Sequence, residues 1–140
     1  MRQTIRVPVL LALLCGCPPY DPGGELHPRI AAALSAQRSD ARVEIRGVCN
    51  SACALKLASG RGVCIAPDAV IGVHEVRLAR RSNYAQGVRD DLFTGYFAAI
   101  LPRCVDALLA SRHAFDSGQL VTFSGQEILT ACPQFSLCNG

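Results

Sequence analysis

The chain has 140 residues, half of them apolar and 18% charged, with a net charge of +3. A single globular domain fits those numbers, and a disordered chain does not. The arginines are scattered and there are three tyrosines, five phenylalanines and no tryptophan, so neither a basic face nor a base-stacking platform is expected and nucleic acid is excluded as a partner.

At the amino end, "MRQTIR" supplies two arginines ahead of "VPVLLALLCG", an apolar run too short to span a bilayer. A positive start followed by a short apolar stretch is the layout of a secretory signal, expected over residues 1–16. The run closes on "LCGC", Leu14 to Cys17, which resembles the bacterial lipobox. Lipidation of Cys17 would anchor the protein to a membrane, with ordinary signal cleavage as the alternative. Read without a signal, "VPVLLALL" is a buried strand, because short apolar runs are ambiguous by periodicity.

Residues 17–27, which hold "PPYDPGG", read as a turn-rich linker, and 28–140 as the folded domain. "PRIAAALSAQR" predicts a helix, with Pro28 in its first turn and Ile30, Ala33 and Leu34 on one face. "ARVEIRG" alternates as a strand, Gly47 and Asn50 permit a turn, and "SACALKLA" predicts a short helix stopped by Gly60. "GVCIAP" and "AVIGVHEV" are β-rich runs parted by "PDA". A long helical region, "YAQGVRDDLFTGYFAAILP", is ended or kinked at Pro102, and "CVDALLASRH" continues helically. "LVTF" reads as a strand, and "SGQEILTAC" as a final helix opened by a Ser124–Glu127 capping box. Interleaved strands and helices give an α/β class with a mainly parallel sheet.

Ser51 sits where a strand turns into a helix. A tight turn there exposes a hydroxyl and puts helix N–H groups behind it, as an acyl-transfer nucleophile requires, although a plain helix cap has the same needs. His74, at the end of "AVIGVH", can return beside Ser51 across adjacent strands and supply the base that a serine hydroxyl needs near neutral pH. The consecutive glycines of "DPGG" let a backbone approach a ligand closely and turn N–H groups toward an anion.

Six cysteines remain beyond Cys15 and Cys17: Cys49, Cys53, Cys64, Cys104, Cys132 and Cys138. In an exported domain they predict disulfides, with 15 pairings open. Cys49 and Cys64 fall on neighbouring predicted strands beneath Ser51, so a bridge between them would fix its turn. Cys49 to Cys53 is the local alternative, and Cys104 would join Cys132 or Cys138. Cys53, inside a predicted helix, reads as core or disulfide rather than as a nucleophile. No close cysteine pair matches Cys49 and Cys53, and the three histidines are spread out, so neither a metal nor a cofactor is expected.

The order "DPGG", "PRIAAALSAQR", "ARVEIRG", "GVCNSAC", "LASG", "GVCIAP", "AVIGVHE" resembles the Clp-protease peptidase family within the Clp-protease/crotonase superfamily. More narrowly, "GVCNSACALKL" followed by "VCIAPDAVIGVHE" resembles exported bacterial relatives with a C-x-S-A-C motif. The likeness runs from Asp21 to Glu75 and returns in "FSGQEIL", which is similar to a late helix of the family. The resemblance implies Ser51 as nucleophile, His74 as general base, and the N–H groups of Gly24 and Ala52 as oxyanion hole. The family's triad aspartate precedes the late helix. That position falls around Leu120 here, Asp116 is the closest acid, and Asp106 and Glu127 lie further off. The family also carries a full strand before P-G-G, a place that the export segment would occupy here.

The leading expectation is an exported serine hydrolase or peptidase acting on a peptide or small acyl substrate, in the periplasm or anchored to the bacterial envelope. The alternatives are a catalytically degenerate binding or structural module of the same fold, and a small envelope lipoprotein acting through partners.

Overall fold

The computed structural model describes residues 19–75, 95 and 97–139. The expected export segment, Cys17, and residues 84–94 and 96 of the long helical region lie outside them. Seven short strands in these residues build two small sheets around one apolar core, joined by helices.

β1 (Tyr20–Asp21) leads through the glycine pair into α1 (Leu26–Ser39). β2 (Val43–Ile45) and β3 (Val48–Asn50) follow, then a tight 3-10 helix over Ser51–Ala58. β4 (Val63–Ile65) and β5 (Val70–Val73) come next; α2 (Arg103–Ser111), β6 (Val121–Ser124), α3 (Gly125–Ala131) and β7 (Ser136–Leu137) complete the order. One sheet has strand order β1-β3-β5-β6, parallel except for β6, and the other has the parallel order β2-β4-β7. The α/β class with mostly parallel pairing is therefore present.

Two short connections carry the chain from the second sheet to the first. "ARVEIRGVC" breaks at Gly47, whose φ of 61° few other residues adopt, so β2 enters one sheet and β3 the other. The "PDA" turn repeats the crossing from β4 to β5. The 3-10 helix is apolar on nearly every side and is buried throughout except at Ser51 and Lys56. It packs against α1, whose buried residues are Ala33 and Ala36. Ile45, Leu55, Ile65, Ile71, Phe123 and Ile128 fill the centre of the core. At the start of α3, Ser124 accepts from the Glu127 N–H at 3.1 Å and the Glu127 carboxylate accepts from the Ser124 N–H at 2.7 Å, the capping box expected there.

Tyr20–Asp21, within the stretch read as a linker, is paired with β3. β7, also without a sequence signal, closes the second sheet. The disulfides are Cys49–Cys53, Cys64–Cys138 and Cys104–Cys132. A Cys49–Cys64 bridge does not form, because β3 and β4 belong to different sheets. Three disulfides fit an oxidising compartment outside the cytoplasm. Among the described residues, no helix is long and apolar enough to cross a membrane.

The bridges span sequence separations of 74, 28 and 4 residues. Removing a bridge frees unfolded-chain entropy that grows with the loop it closes. Urea denaturation should therefore show losses of about 4 kcal/mol for Cys64→Ala with Cys138→Ala, about 3.5 for Cys104→Ala with Cys132→Ala, and about 2 for Cys49→Ala with Cys53→Ala. Equal losses for the first and last pairs would contradict this order.

Candidate active site

Strand polarity brings the candidate residues together. β1, β3 and β5 are parallel neighbours, with Asp21 opposite Cys49 and Asn50 opposite Gly72. The residues that follow each strand, Pro22–Gly24, Ser51 and His74, therefore emerge at one carboxyl edge, the usual place for ligands in such sheets.

Ser51 has a φ of 55°, a left-handed conformation that costs a non-glycine residue about 1–3 kcal/mol and persists where surrounding structure enforces it. It is the first residue of the 3-10 helix, with Asn50 at the cap position. The Ser51 hydroxyl lies 2.9 Å from His74 Nε2.

The other ring nitrogen, Nδ1, lies 2.5 Å from the Glu75 carbonyl oxygen. A carbonyl only accepts, so Nδ1 carries the proton, and Nε2 of the neutral ring is left to accept from Ser51. The Glu75 N–H in turn donates to the Ser117 carbonyl at 2.9 Å, fixing the peptide beyond the histidine. Asp116 does not take the third place. Its side chain is 79% exposed, with a carboxylate oxygen 3.5 Å from His113 Nδ1. Glu127 is committed to the Ser124 cap and to Arg112, and Asp106 lies in the first turn of α2. No sequence signal marks a main-chain carbonyl as a histidine partner, so Glu75 was not foreseen.

The glycine pair closes the other side. A Cβ on Gly23 would lie 2.7 Å from Ser51 Cβ and 2.8 Å from the Asn50 carbonyl oxygen, at a φ of 103°. Gly24, at φ 119°, has open space where its Cβ would stand. Gly24 also lines a cavity of about 80 Å³ bounded by Ser51, Ala52, His74 and Glu75, with Leu26, Val73 and Phe97 as apolar walls. The structure thus brings Ser51, His74, Gly24 and Ala52 to one cavity.

Asp21 and Arg29 brace this loop. Arg29 Nη1 and Nη2 each donate to the Asp21 carboxylate at 2.8 Å, Nη2 also reaches the Gly23 carbonyl at 3.1 Å, and Asp21 accepts from the Gly23 N–H at 3.0 Å. Burial pushes the Asp21 pKa up, but the Arg29 and Gly23 hydrogen bonds, with the charges of Arg29 and Lys56, outweigh it and hold the pKa below 3.8. Nothing in the spacing of Asp21 and Arg29 announced this pair.

No family model matches the chain, and no curated protein matches it.

Two outcomes follow for the loop. Gly23→Ala, blocked by both φ and the Ser51 turn, should cost about 3 kcal/mol in chemical denaturation, against about 1 kcal/mol for Gly24→Ala, where only φ opposes the methyl group. Equal costs would count against the close approach of Gly23 to Ser51. Because the folded pKa of Asp21 is lowered, its contribution to stability is full above 3.8 and is lost as the pH falls through the folded value. Unfolding curves across acid pH should therefore show Asp21→Asn destabilised near neutrality and converging on wild type in acid. A pH-independent difference would count against the charged brace.

Proposed function

We propose that the protein is an exported serine hydrolase of the Clp-peptidase/crotonase type, working by acyl transfer to water. The observation that carries this reading is the 2.9 Å contact between Ser51 Oγ, on a left-handed turn, and His74 Nε2.

In this reading Ser51 Oγ attacks the carbonyl carbon of a peptide or small acyl substrate while His74 Nε2 takes the hydroxyl proton. The negative charge on the tetrahedral oxygen is met by the N–H groups of Gly24 and Ala52, the latter in the first turn of the 3-10 helix. His74 returns the proton to the leaving group, an ester links Ser51 Oγ to the acyl group, and water attacks that ester with His74 again as base. The Glu75 carbonyl holds the imidazole in the needed tautomer, as the carboxylate does in a triad. It is neutral, so it stabilises the imidazolium less than a carboxylate would. A slow hydrolase is the consequence.

The same feature favours a second reading, a degenerate binding module that keeps the fold without turnover. A fluorophosphonate probe separates the two. The oxidised full chain should be labelled on Ser51, and Ser51→Ala should abolish labelling. His74→Ala should slow it by about 10³-fold or more. Absence of labelling in folded wild-type protein would leave the binding module as the better reading.

A further inference from the structure

The Cys49–Cys53 disulfide closes a ring of only five residues, with Ser51 at its midpoint. Cys49 lies in β3, opposite Ile71 of β5, and Cys53 is in the 3-10 helix, so the bridge joins the last strand residues to the first helical turn across the nucleophile. Only this bridge encloses residues that bound the site cavity within so short a loop, namely Ser51 and Ala52.

The turn has two features that local interactions do not explain. Ser51 is left-handed, and the side-chain oxygen of its neighbour Asn50 is buried without a hydrogen-bond partner, facing the backbone of Gly72. Both oppose the observed conformation. Left-handed backbone is disfavoured for serine, so a turn free of other constraint relaxes toward negative φ, which carries Oγ away from His74 Nε2. A short covalent ring around the residue restricts that relaxation, whereas a cap hydrogen bond from Asn50 is not present to do so.

We infer that the Cys49–Cys53 ring is a positioning element for Ser51, so that the site becomes competent only when these two thiols are oxidised. This rests on the serine-hydrolase reading. The step is ordinary thiol–disulfide exchange. Two cysteine thiols give up two protons and two electrons, the Cys49–Cys53 bond forms, and a disulfide oxidant such as oxidised glutathione is reduced to two thiols. Before that exchange, in a reducing compartment, the chain carries Ser51 and His74 without the covalent ring that restricts the Ser51 turn. Activity is therefore latent until the protein reaches an oxidising compartment. Cys49 is 2% and Cys53 0% exposed, so the closed ring is protected from external thiols once the fold is complete.

The ring closes the shortest of the three loops and has the smallest expected share in stability, which separates positioning from support. Fluorophosphonate labelling rates are measured on the full chain well below the unfolding temperature. Cys49→Ala with Cys53→Ala should slow labelling about tenfold or more. Cys104→Ala with Cys132→Ala, although the less stable of the two, should label at the wild-type rate. Labelling of the Cys49/Cys53 variant at the wild-type rate overturns the inference.

A second measurement does not depend on that variant's folding. Reduced wild-type chain is refolded in a glutathione buffer, labelled at intervals, and quenched with an alkylating agent, and the bridges in labelled molecules are mapped by peptide mass spectrometry. Molecules with Cys49 and Cys53 joined should label about tenfold or more faster than molecules with both alkylated, whatever the state of the other pairs. Equal labelling rates of the two populations overturn the proposal.

Should oxidised wild type not label at all, the hydrolase reading fails first. The positioning role is then read from the imidazole nitrogen chemical shifts of His74 in the oxidised and reduced protein. A shift pattern unchanged by reduction of Cys49–Cys53 sinks it independently.

Discussion

The contact of Gly23 with the Ser51 turn is the constraint on which the site depends. The glycine backbone comes so near Ser51 Cβ and the Asn50 carbonyl that no side chain fits between them. That approach sets where β1 ends relative to β3, where the Gly24 N–H stands, and how far the serine turn extends from the sheet edge. The Asp21–Arg29 pair holds the same loop from behind through the Gly23 carbonyl. A charged pair at the rim and a packed glycine at the centre thus share one task, to keep two chain segments in register at the carboxyl edge of three parallel strands.

The two-sheet arrangement explains why so small a chain can present this edge. Breaking at Gly47 lets consecutive residues serve different sheets, so β2 and β3 each find a partner without a long connection. The 3-10 helix then runs through the core with its apolar side chains enclosed on nearly every side. Its amino end has no side-chain cap, and packing together with the Cys49–Cys53 bridge holds it. The long-range bridges act elsewhere, with Cys64–Cys138 tying the end of the described chain to β4 and Cys104–Cys132 tying α2 to α3.

Much of this was legible in the sequence where periodicity or turn chemistry speaks locally. The helices α1 and α3, the Ser124 capping box and the strand ends at Asn50 and His74 follow from side-chain pattern, and the meeting of Ser51 with His74 follows from placing two such ends side by side. What stayed hidden depended on relations that side-chain pattern does not encode. β1 and β7 have two residues each, too few to show alternation. Of the two partners open to Cys49, the local Cys53 is the one bridged; "ARVEIRG" and "GVC" look continuous, whereas the change of sheet at Gly47 removes Cys49 from the neighbourhood of Cys64. Asp116 drew attention as the nearest acid to the expected place, and Ser117 beside it does reach Glu75, but through its main chain.

The hydrogen bond from His74 to the Glu75 carbonyl has one further consequence. A carboxylate in that position is a separate residue, which a single codon change can delete and which falls silent when acid protonates it. A peptide oxygen has neither weakness, since every amino acid at position 75 supplies it and it does not titrate in the range where proteins stay folded. Orientation of the imidazole is thereby written into the course of the main chain, and losing it requires moving the backbone rather than changing a side chain.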